Sequence, residues 1–237
     1  MSNTLEASLS EFKDSLTTEE IGCYKLLLSL ASGAIAPDFI INHSSDAEEK
    51  LKVIKKSLLD ISRVKDKISD KEIAWIGRPS FMTEELLQSL IDESVQLREN
   101  AVECNGHFLG TGAPLANQLA MSAELTSFVQ QYAGNATPTG VASFLYYDIE
   151  GQGIPPHVDT NVFSLNVILM LRHENIDNID EHNLSHLVVF PNNEEIKRIR
   201  LQAGEMVILF AGNVIHAREK VHKNEVVSIL TFGFQPY

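Results

Sequence analysis

The sequence has few cysteines and no hydrophobic run long enough to cross a membrane. Cys23 and Cys104 are its two cysteines, and they form no CxxC pair. This excludes a disulfide framework and a zinc ribbon, and it favours a reducing compartment. The apolar run at 26–36 is shorter than a membrane span, and the first residues contain no basic segment followed by an apolar one. We therefore predict a cytoplasmic protein with no membrane partner.

Basic residues are also scarce. The chain has 19 Lys and Arg against 32 Asp and Glu, which gives a formal net charge of −13. A field of this sign repels a phosphate backbone. The most basic stretch contains Lys197, Arg198 and Arg200, but alternation along a strand would divide them between two faces. We therefore expect no nucleic-acid partner.

The chain does contain enough apolar material for a sizeable core, since 44% of its residues are hydrophobic and the mean hydropathy is −0.04. Its first third is predicted to be helical. Thr17 and Glu20 have the spacing of a capping box ahead of 21–30, and apolar residues recur at helical spacing over 46–68. We predict that residues 1–75 form a helical region packed on the core; a homodimer through these helices is a second interpretation.

The rest of the chain is predicted to be mainly β. Thr83 caps one more amphipathic helix, and another helix is expected near 119–132. After it, short β-rich runs bounded by Gly, Pro, Asn or Asp take over. Their spacing is typical of a distorted double-stranded β-helix, a cupin-like jelly roll, which we assign to residues 76–237. The runs are 141–147, 163–171, 187–190, 196–201, 206–210 and 226–234.

Three residues of the predicted barrel are candidate metal ligands. His157 and Asp159 are two positions apart, so in an extended chain both side chains project from one face. His216 follows the β-rich run at 204–210, and a distant strand could bring it to the same metal. No other histidine in the sequence has an acid two residues later. Two histidines and one carboxylate on one face of an octahedral ion are the ligands that non-haem Fe(II) oxygenases use.

Three sequence blocks, in this order, carry a resemblance to a known family. They are Tyr146-Tyr147-Asp148 leading to His157-Val158-Asp159, then Leu187-Val188-Val189-Phe190-Pro191, and then 204–210 leading to His216. With them, residues 139–237 resemble the 2-oxoglutarate and Fe(II)-dependent oxygenases, and within these the prolyl-hydroxylase-like branch.

This resemblance implies that His157, Asp159 and His216 hold Fe(II), with 2-oxoglutarate and O₂ as co-substrates. It also implies that Tyr147 lines the co-substrate pocket, where its hydroxyl can donate to a carboxylate. Packing in the core is the alternative role for Tyr147.

The implied reaction is oxidation of an unactivated C–H bond with release of succinate and CO₂. Halogenating relatives lose the carboxylate that Asp159 matches, so its presence favours hydroxylation, desaturation or ring formation. We expect a small amino-acid-like or natural-product substrate, with a peptide side chain second. A cupin-like metalloenzyme that does not use 2-oxoglutarate and a non-catalytic binding protein remain alternatives.

The sequence departs from the family in its last strand. Relatives usually carry Arg, one further residue and then Ser, which bind the distal carboxylate of 2-oxoglutarate. Ser228 fits the serine, but Val226 stands where the arginine is expected. Because a buried dicarboxylate without a cation is costly, another residue is expected to supply the charge.

Arg172 is the first candidate for this charge. Strand alternation places Asn166, Ile168, Met170 and Arg172 on one face, which we expect to face the pocket. Jumonji-like relatives carry a lysine for this purpose on the corresponding strand. Exposure at the end of its strand is the other interpretation of Arg172.

Arg218 is the second candidate, because it lies two residues after His216 and should share its face. It could instead bind an acidic substrate group, or form an exposed salt bridge with Glu219 or Glu225.

Overall fold

The computed structural model describes the chain at residues 72–104, 106–159, 161–175, 184–191 and 195–237. These residues belong to one compact unit that spans 62–237. The helices predicted at 21–30 and 46–68, and the dimer contact through them, lie outside the described residues and stay predictions.

The first described helix, α1, spans Glu84–Arg98 and confirms the amphipathic helix predicted after Thr83. The Thr83 hydroxyl oxygen accepts a hydrogen bond from the Leu86 N–H at 3.2 Å, so the first turn is capped. Leu87 and Leu90 are buried on the inner side of α1, as its spacing predicts.

The helix predicted near 119–132 is instead two helices, α2 at Pro114–Ala120 and α3 at Ala123–Ala133. The break falls at Ser122, whose hydroxyl accepts from the Leu125 N–H at 3.1 Å and caps α3. Among the residues that the structure describes, no helix is long and apolar enough to span a bilayer.

The six predicted β-rich runs are all strands, with ends shifted by up to five residues. Five further strands were not predicted, because runs of three to five residues that contain Gly, Pro or polar residues show little alternation. The strands of the described chain are β1 Ile73–Gly77, β2 Val102–Cys104, β3 His107–Thr111, β4 Ala136–Tyr147, β5 Ile154–His157, β6 Leu165–Asn175, β7 Leu187–Phe190, β8 Lys197–Ile199, β9 Met206–Leu209, β10 Ile215–Arg218 and β11 Glu225–Pro236.

The strands form two antiparallel sheets. The large sheet has the order β1-β9-β6-β11-β4-β3-β2, and the small sheet has the order β5-β10-β7-β8. From β4 to β11 the chain passes repeatedly from one sheet to the other. The arrangement is therefore the predicted distorted jelly roll. β1 is an edge strand of the large sheet, so the predicted boundary between residues 75 and 76 falls inside a strand.

Two hydrophobic cores cover the two faces of the large sheet. The helices pack on the outer face, where Leu90 and Leu125 meet Phe144 and Phe232. The second core lies between the sheets. Adjacent residues of β4 and β11 therefore belong to different cores, as strand alternation requires. The candidate site residues line a cavity between the sheets.

Candidate metal centre

The two candidate histidines lie side by side on neighbouring strands of the small sheet. His157 ends β5, and it is paired directly with His216 on β10. Their ring centroids are 4.3 Å apart. Asp159 follows β5, and its backbone N–H donates to the Ala211 carbonyl at 2.8 Å. One potential ligand atom from each of the three residues lies within 4.8 Å of the others.

Both imidazole rings are held through Nδ1. His157 Nδ1 lies 2.8 Å from the Pro155 carbonyl oxygen, and His216 Nδ1 lies 3.1 Å from the Val214 carbonyl oxygen. A carbonyl oxygen only accepts, so each Nδ1 carries the proton and donates it. The lone pair of each ring is therefore on Nε2, which points towards Asp159 and is the atom that would bind a metal.

Asp159 completes the donor set as a carboxylate. Its Oδ1 lies 3.4 Å from His157 Nε2, and its Oδ2 lies 3.7 Å from His216 Nε2. Asn166 Nδ2 donates to Oδ2 at 2.8 Å and fixes the carboxylate plane. Burial raises the pKa of Asp159, but the two histidines and Asn166 outweigh it and leave that pKa below its usual value. The group is ionised at neutral pH.

The two histidines differ in their electrostatic surroundings. Burial, together with His157, lowers the pKa of His216 to about 4, so this ring is neutral. Burial also lowers the pKa of His157, but its contact with Asp159 outweighs that effect and leaves the pKa raised. Two imidazole nitrogens and one carboxylate on adjacent backbone segments fit the facial donor set of a non-haem Fe(II) ion.

A cavity of about 240 Å³ extends from this donor set between the two sheets. Its walls are mainly apolar. Among the described residues that line it, the charged side chains besides the histidines are Asp159 and Arg218. The lining residues are Leu109, Ser143, Leu145, Tyr147, Ile154, His157, Asp159, Phe163, Asn166, Ile168, Met170, Leu187, Ile199, Leu201, His216, Ala217, Arg218, Ile229 and Thr231.

Residue pairs on neighbouring strands of the large sheet show which positions lie at each end of the cavity. Asn166 marks the metal end, since it binds Asp159. From the metal end to the far end, the paired residues are Gly233 with Asn166, Thr231 with Ile168, Ile229 with Met170, and Val227 with His173 and Tyr147.

The structure places Arg172 outside the cavity. Its side chain is 47% exposed and forms a 2.7 Å ion pair with Glu174. The reason is a β-bulge: Ser228 pairs with Arg172 and Ile229 with Met170, so Leu171 is an extra residue in β6. The bulge reverses the alternation on which the prediction rested. Asn166, Ile168 and Met170 face the cavity, and His173 takes the inward position expected for Arg172.

Ser228 also faces away from the cavity. It is paired with Arg172 and Tyr146, and it alternates with Val227 and Ile229, which belong to the core between the sheets. The placement of Ser228 therefore does not match a serine that contacts a co-substrate there, although the sequence motif fits it.

Arg218 and Tyr147 meet at the far end of the cavity. Arg218 is 6% exposed, and its guanidinium carbon lies 5.8 Å from the centroid of the Tyr147 ring. Burial raises the pKa of Tyr147, so its hydroxyl stays protonated and can donate. Both side chains line the cavity. The exposed salt bridges expected as an alternative for Arg218 are not formed among the described residues, since Glu219 bonds to His186 and Arg198 instead.

Three residues around Arg218 were not predicted as part of the site. Arg218 Nη2 donates to the Ser185 hydroxyl at 2.7 Å, and the Ser185 hydroxyl is also bonded to Glu225. His173 Nε2 lies 2.8 Å from Glu225 Oε1. His173 and Glu225 could have been found from the sequence, because both are ionisable residues at the ends of apolar β-rich runs. Ser185 carries no comparable signal.

Solved structures with a similar fold include 2-oxoglutarate oxygenases. One is the non-haem α-ketoglutarate-dependent epimerase SnoN from nogalamycin biosynthesis, 11% identical over 76% of this chain and 83% of that chain, with a TM-score of 0.57. A second is a Trichoplax adhaerens prolyl hydroxylase in complex with a hypoxia inducible factor peptide, 14% identical over 84% and 96%, with a TM-score of 0.54. A third is EctD from S. alaskensis with 2-oxoglutarate and 5-hydroxyectoine, 11% identical over 70% and 73%, with a TM-score of 0.54.

No protein-family model and no curated protein matches the sequence. The structural likeness confirms the jelly-roll prediction: this chain has the fold of these 2-oxoglutarate oxygenases.

Proposed function

We propose that this protein is a non-haem Fe(II) dioxygenase that uses 2-oxoglutarate to hydroxylate a C–H bond of a small molecule. One observation carries the proposal. A donor set of His157, Asp159 and His216 lies at one end of a narrow apolar cavity, and the buried cation Arg218 lies at the other. A dicarboxylic 2-oxo acid is the co-substrate that such a pair of sites can bind at both ends.

The residues of the far end suit the distal carboxylate. Arg218 would provide a charge-assisted hydrogen bond, and Tyr147 would add a neutral donor. Arg218 thereby replaces the cation that Val226 cannot supply. Ile168, Met170 and Ile229 form the walls between the two ends and exclude water from the co-substrate.

When bound, Fe(II) with 2-oxoglutarate and O₂ supplies an oxidant for C–H bonds, with release of succinate and CO₂. The contribution of the chain is to hold the ligands in place. The Pro155 and Val214 carbonyls orient the two rings, and Asn166 orients Asp159. The retained carboxylate of Asp159 leaves no ligand position for a halide and favours hydroxylation, desaturation or ring formation.

The cavity also supports a small-molecule substrate. SnoN and EctD were solved in complex with small molecules, whereas the Trichoplax enzyme was solved with a peptide. Near the metal end, the lining residues are Ser143, Phe163 and Thr231, which are uncharged. Within the range of small amino-acid-like and natural-product substrates, this lining favours a molecule that presents an uncharged, largely apolar portion to the metal.

The first experiment is anaerobic titration of the Fe(II)-loaded protein with 2-oxoglutarate. We expect a weak visible charge-transfer band, and succinate formation once O₂ is admitted. His157→Ala should abolish both signals, and the exposed His222→Ala is the matched control that should retain them. Iron binding without the band would instead favour a cupin-like enzyme, and absence of stoichiometric iron binding in the parent protein would refute the proposal.

A further inference from the structure

Arg218 is a buried cation that forms no ion pair with any residue in the described part of the chain. It is 6% exposed, and no carboxylate of the described residues lies within ion-pair distance of its guanidinium nitrogens. Its Nε–H has no hydrogen-bond partner among the described residues. A buried guanidinium with an unused donor is costly unless a ligand completes it.

Within the described residues, the hydrogen bonds of the guanidinium go to Ser185. Arg218 Nη2 donates to the Ser185 hydroxyl at 2.7 Å and to the Ser185 carbonyl at 3.2 Å. Ser185 is fully buried and lies two residues before β7, whose Leu187 pairs with Arg218. Two bonds from the same residue fix the orientation of the guanidinium plane.

In the described part of the chain, the carboxylate that Ser185 binds is that of Glu225, and Ser185 lies between it and Arg218. The Ser185 hydroxyl donates to Glu225 Oε1 at 2.5 Å, and the Ser185 N–H donates to the same atom at 2.9 Å. His173 Nε2 and the His222 N–H bind the carboxylate as well. Glu225 is therefore satisfied by its own donors, and it offsets the charge of Arg218 without occupying the guanidinium.

We propose that Ser185 is a positioning residue that, backed by Glu225, orients Arg218 and so sets the preference of this site for a dicarboxylic over a monocarboxylic 2-oxo acid. The hydroxyl acts as acceptor towards Arg218 and as donor towards Glu225, which a single serine can do at once. The donors of the Arg218 guanidinium that do not bind Ser185 are left for the distal carboxylate. This inference rests on the proposed function, since it concerns the same cavity.

The test compares two 2-oxo acids that differ only at the far end. 2-Oxoglutarate and 2-oxopentanoate share the carboxylate and keto group that would reach the metal, but 2-oxopentanoate lacks the second carboxylate. Their dissociation constants are measured by anaerobic titration of the Fe(II) protein, without a primary substrate. The variants are Ser185→Ala, Ser185→Thr, and Ser94→Ala as a matched control, because Ser94 is also a buried serine but lies on α1 away from the cavity.

Ser185→Ala should weaken 2-oxoglutarate binding roughly tenfold, because a contact to a charged group is lost, and should change 2-oxopentanoate binding by less than about twofold. Ser185→Thr, which keeps the hydroxyl, should restore most of the affinity, and Ser94→Ala should bind both acids like the parent. If Ser185→Ala does not fold, Ser185→Cys gives the same comparison with a weak donor of similar size.

Equal weakening of both acids would show a merely structural role and overturn the inference, as would unchanged 2-oxoglutarate affinity. These outcomes differ from failure of the proposed function, in which the parent protein itself would bind neither acid at the metal.

Discussion

At the scale of single residues, the site depends on how each polar side chain is held by its neighbours. Each candidate metal-binding histidine bonds through Nδ1 to the carbonyl two residues earlier, at Pro155 and at Val214. The orientation of each imidazole ring is therefore set by the local backbone at β5 and β10. The same dependence is seen in the adjacent tyrosines of β4, whose hydroxyls lie in different environments.

Tyr147→Phe and Tyr146→Phe are a matched pair. Removing the Tyr147 hydroxyl should weaken 2-oxoglutarate binding roughly tenfold, because a donor to a carboxylate is lost. Tyr146 donates instead to the Ser94 carbonyl at 2.8 Å in the outer core, so Tyr146→Phe should cost about 1 kcal/mol of unfolding free energy and leave the affinity unchanged. Titration and denaturant unfolding measure the two effects. Equal 2-oxoglutarate affinities in both variants would remove Tyr147 from the site.

At the scale of secondary-structure elements, two irregularities shape the cavity. The bulge at Leu171 turns His173 inwards and Arg172 outwards. At the metal end, β11 passes very close to the short 3₁₀ helix Asn161–Phe163, which follows Asp159. Gly233 makes this approach possible, since a Cβ there would collide with the Val162 carbonyl oxygen and would lie 2.5 Å from Thr139 Oγ1.

Gly233→Ala should therefore destabilise the fold by about 1–3 kcal/mol through overpacking. It should also weaken Fe(II) binding, because the 3₁₀ helix that must move adjoins Asp159. Thr139→Ala is the control: it removes the hydrogen bond to the Gly233 carbonyl, at 3.0 Å, without a collision, and should cost about 1 kcal/mol with metal affinity unchanged. Denaturant unfolding and metal titration give both readouts. Parent-like stability of Gly233→Ala would contradict the close approach.

At the scale of the whole molecule, Glu225 connects segments of both sheets. Its carboxylate binds His173 at the end of β6, Ser185 before β7 and the His222 N–H before β11. Burial raises the pKa of Glu225, but the hydrogen bonds from these partners outweigh it and lower the pKa to about 2. These hydrogen bonds contribute to the global stability of the fold as long as the Glu225 carboxylate is ionised.

The stability of the apo-protein should reflect this titration. The folded pKa of Glu225 lies below its ordinary value of 4.5, so the contribution is complete above pH 4.5 and is lost as the pH falls towards about 2. The lost free energy of unfolding should reach about 3 kcal/mol. Glu225→Gln should be less stable at neutral pH and show a correspondingly flatter acid dependence. Glu84→Gln, at an exposed side chain, should follow the parent curve; a Glu225→Gln curve parallel to it would contradict the assignment.

Much of the jelly roll and the candidate ligands could be predicted from the sequence, because they depend on short-range geometry. The period of a strand alone places His157 and Asp159 on one face, and the longer apolar runs identify six of the strands. The strands that were missed are short, and their pairing partners are distant in sequence. His216, for example, is placed beside His157 by an antiparallel pairing across 59 residues.

What only the tertiary structure decided is which cation enters the cavity. Alternation favoured Arg172, but a single extra residue in β6 reverses its direction, and a bulge depends on the partner strand rather than on the local sequence. Arg218 is buried because Ser185, 33 residues earlier, accepts its hydrogen bonds. The sequence by itself determined His157 and Asp159 as a pair of metal donors, since their side chains share one face of a single extended segment. The charge at the other end of the cavity depends on contacts between strands and loops that are far apart along the chain.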